Sequence, residues 1–154
     1  MNNVFDLVAD FYGQDEEWNS VLRQSYVENF LRSKSWQGAE DKELTEYWDY
    51  ITLLCIYLGN SENFLGDMSK DDFIDCIAWC GRNVADFALT DKKVAKFLDV
   101  MDELYTHLHN KKIIMSCAAP CEAKAKLLPE GKLTLMDYEG NFLPECNKFN
   151  LYST

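Results

Sequence analysis

Four of the six cysteines fall into two pairs of equal spacing, Cys76–Cys80 and Cys117–Cys121, each C-x3-C. Two cysteine pairs are a familiar donor set for a structural zinc ion. Residues four apart share one face of a helix, so Cys76 and Cys80 can both point at one ion. The set Cys76, Cys80, Cys117 and Cys121 is therefore a candidate metal site. Against it, Cys80 falls within an apolar helical stripe and Cys76 flanks that stripe. There, as at Cys55, a free cysteine packs as a small hydrophobe, and core packing is the expectation for these three.

The second pair also suggests thiol chemistry. Cys121 is predicted to lie in the first turn of a short helix, where backbone N–H groups favour the thiolate. Lys124, one turn on, pushes the same way. Cys117 stands where it could resolve an oxidised Cys121 as a disulfide. The competing reading is a turn shaped by Pro120 with two inert sulfurs, because redox motifs of known mechanism use C-x-x-C.

Other chemistry is sparse. His107 and His109 are two apart on a predicted helix and point to different faces, so they do not share a metal there. There is no glycine-rich phosphate loop, G-x-S-x-G or H-E-x-x-H. Nothing singles out two carboxylates as an acid–base pair. No catalytic residue and no cofactor are expected, and an enzyme is not the preferred reading.

The elements that would position these residues are mostly helices. Val4, Phe5, Val8, Phe11 and Tyr12 recur at helical spacing, with Asn2 or Asn3 as cap and Gly13 as stop. A second helix is predicted over residues 15–34, opened by Asp15, Glu16 and Glu17, with "SKSWQG" as the following loop. A third carries Leu44, Trp48, Ile51, Cys55 and Leu58 and stops at Gly59. Ser69 and Asp72 form a capping box, from which a helix is predicted through residue 89. Thr90 or Asp91 caps the next, whose stripe is Val94, Phe97, Leu98, Met101, Leu104, Tyr105 and Leu108, with Asn110 as its end.

The pattern changes after Asn110. "KKIIMS" reads as a short strand or extended segment, "PCEAKAKLL" as a two-turn helix with Pro120 in its first turn, and "KLTLMDYEGNFLPE" as a small hairpin. The predicted fold is mainly α. It is a four- to five-helix bundle over residues 1–112, with a C-terminal appendix over 113–154 packed on it, one structural domain overall. The four helices ending in "VAKFLDVMDELYTHLHNKK" resemble the small helical N-terminal domain of phage-type integrases over residues 18–112, in helix order and apolar spacing. That domain is typically basic, whereas residues 18–75 here are acidic, so no residue role is carried over.

Charge narrows the function classes. Residues 1–75 hold 5 Lys/Arg and 16 Asp/Glu, residues 76–154 hold 10 of each, and the net charge of −11 lies wholly in the first half. Such a surface repels phosphate backbones and anionic lipids and attracts a basic partner. The longest apolar run, residues 53–58, is far short of the ~18 residues of a membrane span. No positive charge precedes the first apolar residues, so no secretory signal is read, and a cytoplasmic protein with reduced thiols is expected. The leading expectation is an interaction or regulatory module. It would bind a basic protein partner through an acidic, aromatic-containing surface. The alternatives are a thiol or zinc protein centred on Cys117 and Cys121, and a DNA mimic.

Overall fold

A computed structural model describes residues 3–14 and 22–133. Those residues are mainly helical and contain no strand. Six α-helices follow in order: α1 (Val4–Gln14), α2 (Gln24–Trp36), α3 (Asp41–Gly59), α4 (Lys70–Asn83), α5 (Asp91–Asn110) and α6 (Ala119–Leu127). None of them is long and apolar enough to cross a membrane.

The periodic stripes set the packing. Val4, Val8 and Tyr12 of α1, Leu44, Trp48, Ile51, Cys55 and Leu58 of α3, and the whole Val94–Leu108 stripe of α5 are buried in one cluster. Capping follows the sequence at three helices. Asn3 Oδ1 accepts the Asp6 N–H at 3.0 Å. Ser69 and Asp72 close both halves of the capping box. Thr90 accepts the Lys93 N–H at 3.2 Å.

Of the helix expected over residues 15–34, residues 15–21 lie outside the described residues. Within the described part the backbone is extended at Arg23 (φ −63°, ψ 139°), and α2 runs from Gln24. The buried Tyr12 hydroxyl donates to the Leu22 carbonyl, ten residues on, and so ties this break to α1. At its other end α2 continues through the expected "SKSW" loop to Trp36. It closes where Gly38 adopts φ 103° and the Ala39 and Gly38 N–H groups bond the Lys34 and Ser35 carbonyls.

The fourth helix stops earlier than predicted, at Asn83, with Val84 extended (φ −107°, ψ 112°). The chain folds back over α4 so closely that a Cβ on Gly81 would lie 2.7 Å from Leu89 Cγ. The returning segment carries Phe87 into the core.

After α5 there is a turn rather than the expected strand or extended segment. Ile113 N–H bonds the Leu108 carbonyl and Lys112 N–H bonds that of His109, the same closure as at Gly38 but with Lys112 at φ 62°. α6 follows with Pro120 in its first turn and packs on α4 and α5 through Ala123 and Leu127, both fully buried. The predicted hairpin lies essentially beyond residue 133, outside the described residues.

Two stability changes are expected in chemical denaturation. Gly81→Ala lowers stability by about 1–3 kcal/mol, because Leu89 is displaced from its branch point outward; the overpacking outweighs the ~1 kcal/mol of helix propensity gained. Lys112→Gly raises stability by about 0.5–1 kcal/mol, by relieving a left-handed conformation that an L side chain disfavours.

Candidate functional site

The structure divides the cysteines by depth. Cys55, Cys76 and Cys80 are fully buried, Cys117 is half-buried, Cys121 is exposed, and all five are free thiols. Cys55 Sγ lies 3.6 Å from the Tyr12 hydroxyl, and burial pushes its thiol up to about 12. Cys76 is raised well above the ordinary value, first by burial and then by the adjacent Cys80 and Asp75. Cys80 Sγ faces the Leu53 carbonyl at 3.7 Å.

Cys76 and Cys80 thus meet inside the core, while Cys117 and Cys121 lie at the start of α6. Among the described residues no three His, Cys, Asp or Glu side chains are gathered to hold a metal ion. Lys124 is turned to α5, where its Nζ bonds Asp99 Oδ1 at 2.6 Å. The histidines diverge as expected. His107 Nε2 lies 3.0 Å from Asn29 Oδ1 on α2, its ring edge-on to Phe30, and His109 Nδ1 lies 3.4 Å from the Ile114 carbonyl. Burial, then Lys111 and Lys34, hold His107 below the usual histidine value.

The site that sequence reasoning did not single out lies along α3. Asp41, Glu43, Glu46 and Asp49 are exposed, with Tyr47 and Tyr50 half-buried among them. Glu43, Glu46, Tyr47 and Tyr50 follow the i, i+3, i+4, i+7 spacing of one helical face. Of these carboxylates only Glu46 has an ion pair among the described residues, with Lys96 of α5 at 3.2 Å. Burial, and then Glu46, raise the Asp49 carboxyl above its ordinary value.

Tyr47 is held in place from two neighbouring helices, α2 and α5. Its hydroxyl donates to Glu103 Oε2 at 2.9 Å, the other Glu103 oxygen takes Lys34 of α2, and the Lys34 ammonium stands 5.7 Å from the Tyr47 ring. Burial and then Glu103 push its phenol up to about 12.

Between α3 and α5 runs a groove of about 1130 Å³. One wall is Glu46, Asp49 and Tyr50, the other Lys92, Lys93 and Lys96, and Phe87 of the returning segment lies between them. Buried Phe97 supports it, with ring centroids 6.4 Å from Tyr50 and 6.1 Å from Phe87. Of the tryptophans, Trp48 is buried, Trp79 half-buried and Trp36, at the end of α2, is 84% exposed. Trp18 lies outside the described residues.

Comparison with protein-family models, with curated proteins and with solved structures finds no match.

Two outcomes follow from this arrangement. In timed alkylation of the native protein, Cys121 labels first, and Cys55, Cys76 and Cys80 label only on unfolding; equal labelling rates would contradict the burial pattern. His107 titrates, by NMR, below the ordinary histidine value of about 6.5. Its folded-state value lies below the unfolded one, so between the two the unfolded chain binds more protons. Its contribution to stability therefore falls as pH drops through that window, and His107→Gln flattens the slope.

Proposed function

We propose that the protein is an interaction module that binds a basic protein partner through the acidic, tyrosine-bearing face of α3. The observation that carries this reading is the row Glu43, Glu46, Tyr47 and Tyr50, with Asp49 beside it. Its carboxylates have one counter-charge among the described residues, and its rings are held by the helices behind them. Exposed carboxylates on a preformed surface speed encounter with a basic partner. Tyrosines held in place supply contact area at little cost in entropy. The absence of a gathered metal or catalytic set among the described residues is compatible with such a role and does not argue for it.

A second reading is thiol chemistry at Cys121. It is favoured by exposure of that sulfur on the first turn of α6, with half-buried Cys117 four residues before it. A free-thiol count and metal analysis on protein purified without reductant distinguishes the two.

The interaction reading is tested by affinity capture from the native cell with wild type and with Glu43→Lys/Asp49→Lys. Glu122→Lys on α6 serves as a charge control, and thermal melts show that all are folded. The expected result is a partner held by wild type and the control and weakened at least about tenfold by the α3 variant. Its binding should also weaken as salt rises over the range where the Debye length shrinks from about 10 Å to 3 Å. A partner held equally by all three proteins, or one insensitive to salt, would contradict it.

A further inference from the structure

We propose that the cavity between α2 and α5 takes an arginine side chain, whose guanidinium stacks on Trp36 while Asp102 accepts its N–H groups. That a protein partner supplies the arginine rests on the reading above, and it extends that interface from α3 across α5 to α2. The cavity's preference for a guanidinium does not rest on it.

The cavity has a volume of about 560 Å³, with Phe30 in its lining. Two contacts across it give the direction of the helices. Lys34 of α2 pairs with Glu103, and Asn29 meets His107. Residue numbers fall along α2 as they rise along α5, so the two helices run antiparallel. Trp36, beyond Lys34, therefore belongs to the Asp102 end of the cavity, and both residues line it.

Trp36 is the anchor. It is exposed at the end of α2. Trp48 and Trp79 have ring partners, whereas Trp36 has none among the described residues. A large ring left in water beside a cavity is an unfilled contact. An indole face attracts a cation more strongly than the ring of Tyr or Phe does.

Charge decides the sign of the occupant. Of the two carboxylates in the lining, Glu103 is occupied: one oxygen holds Lys34 and the other accepts the Tyr47 hydroxyl at 2.9 Å. Asp102 has no ion pair among the described residues. Of the cations, Lys34 is held by Glu103, and Lys111 stands nine residues past Asp102, about 13.5 Å along the helix. His107 lies between them and is uncharged at neutral pH, because burial, then Lys111 and Lys34, lower its value. The Trp36 end thus carries one uncompensated negative charge beside an unpartnered indole.

That pairing selects arginine over lysine. A guanidinium is planar, so its face stacks on the indole while its edge offers two parallel N–H groups to a carboxylate. An ammonium is a point charge and cannot do both. Glu103, next to Asp102, also holds Tyr47 of the α3 face, so the two sites adjoin.

The test is titration of the isotope-labelled full chain with the capped tripeptide acetyl-Gly-Arg-Gly-amide, followed by NMR. Expected is a saturable shift of the Trp36 indole N–H and of the Asp102 and Glu103 amides. The arginine peptide should bind at least about threefold more tightly than its lysine counterpart, and the leucine counterpart should not bind. Trp36→Leu and Asp102→Asn, neither in the core and both checked by thermal melts, should each weaken binding at least about threefold. No saturable shift, shifts confined to other parts of the fold, equal affinity for arginine and lysine, or wild-type affinity in either variant overturns the proposal. The tripeptide needs no partner, so the result stands apart from the capture experiment. Arginine selectivity with normal capture by the α3 variant removes only the α3 reading. Partner loss in that variant without arginine selectivity removes only the arginine site.

Discussion

A core without charge is the constraint on which the rest of this molecule depends. Among the described residues no charged side chain is buried, and every buried polar side-chain atom has a partner. The polar atoms that do enter the interior are phenol hydroxyls, and a buried donor left unpaired costs about 1–3 kcal/mol. Each therefore has to find an acceptor, and the acceptors lie on different segments. Tyr12 bonds the Leu22 carbonyl, Tyr57 bonds Asp75 of α4 at 2.7 Å, and Tyr105 bonds the Leu65 carbonyl at 2.8 Å. Burial raises all three phenols above their ordinary value, so they remain neutral donors. Two of these bonds, to Leu22 and Leu65, tie connecting segments to helices, and the third ties α3 to α4.

The same economy shapes the surface. With the interior filled by aliphatic and aromatic groups, the described carboxylates of the first half are left outside, and on α3 they alternate with tyrosines whose rings lean on the core. Phe97 supports both Tyr50 and Phe87, while Glu103 and Lys34 hold Tyr47. The segment after α4 turns back over Gly81 instead of continuing the helix, which brings Phe87 between the walls of the groove of α3 and α5.

What was legible in the sequence was whatever is local. The Ser69–Asp72 box, the Thr90 cap and the Val94–Leu108 stripe each need only a few consecutive residues, and each formed. The break at Arg23 was not legible, because the Leu22 carbonyl before it is bonded by a hydroxyl ten residues away. Nor was the end of α4, where the chain turns back so that Leu89 lies over Gly81. The turn at Lys112 runs against propensity, since the left-handed conformation favours glycine. Of the candidate site, the depth of Cys55, Cys76 and Cys80 followed from their stripes. The groove did not, because Lys92 and Lys96 stand more than forty residues from Glu46 and Asp49, and only the packing of α3 against α5 makes them two walls.

The central claim is that buried phenol bonds, rather than helix propensity, hold the connecting segments in place. Amide hydrogen exchange on wild type and Tyr105→Phe tests it most directly. Phenylalanine keeps the ring against Phe73 and removes only the hydroxyl that bonds Leu65. The account predicts faster exchange concentrated in residues 61–68 and a loss of about 1–3 kcal/mol in global stability. Unchanged exchange in that segment, with stability equal to wild type, would contradict it.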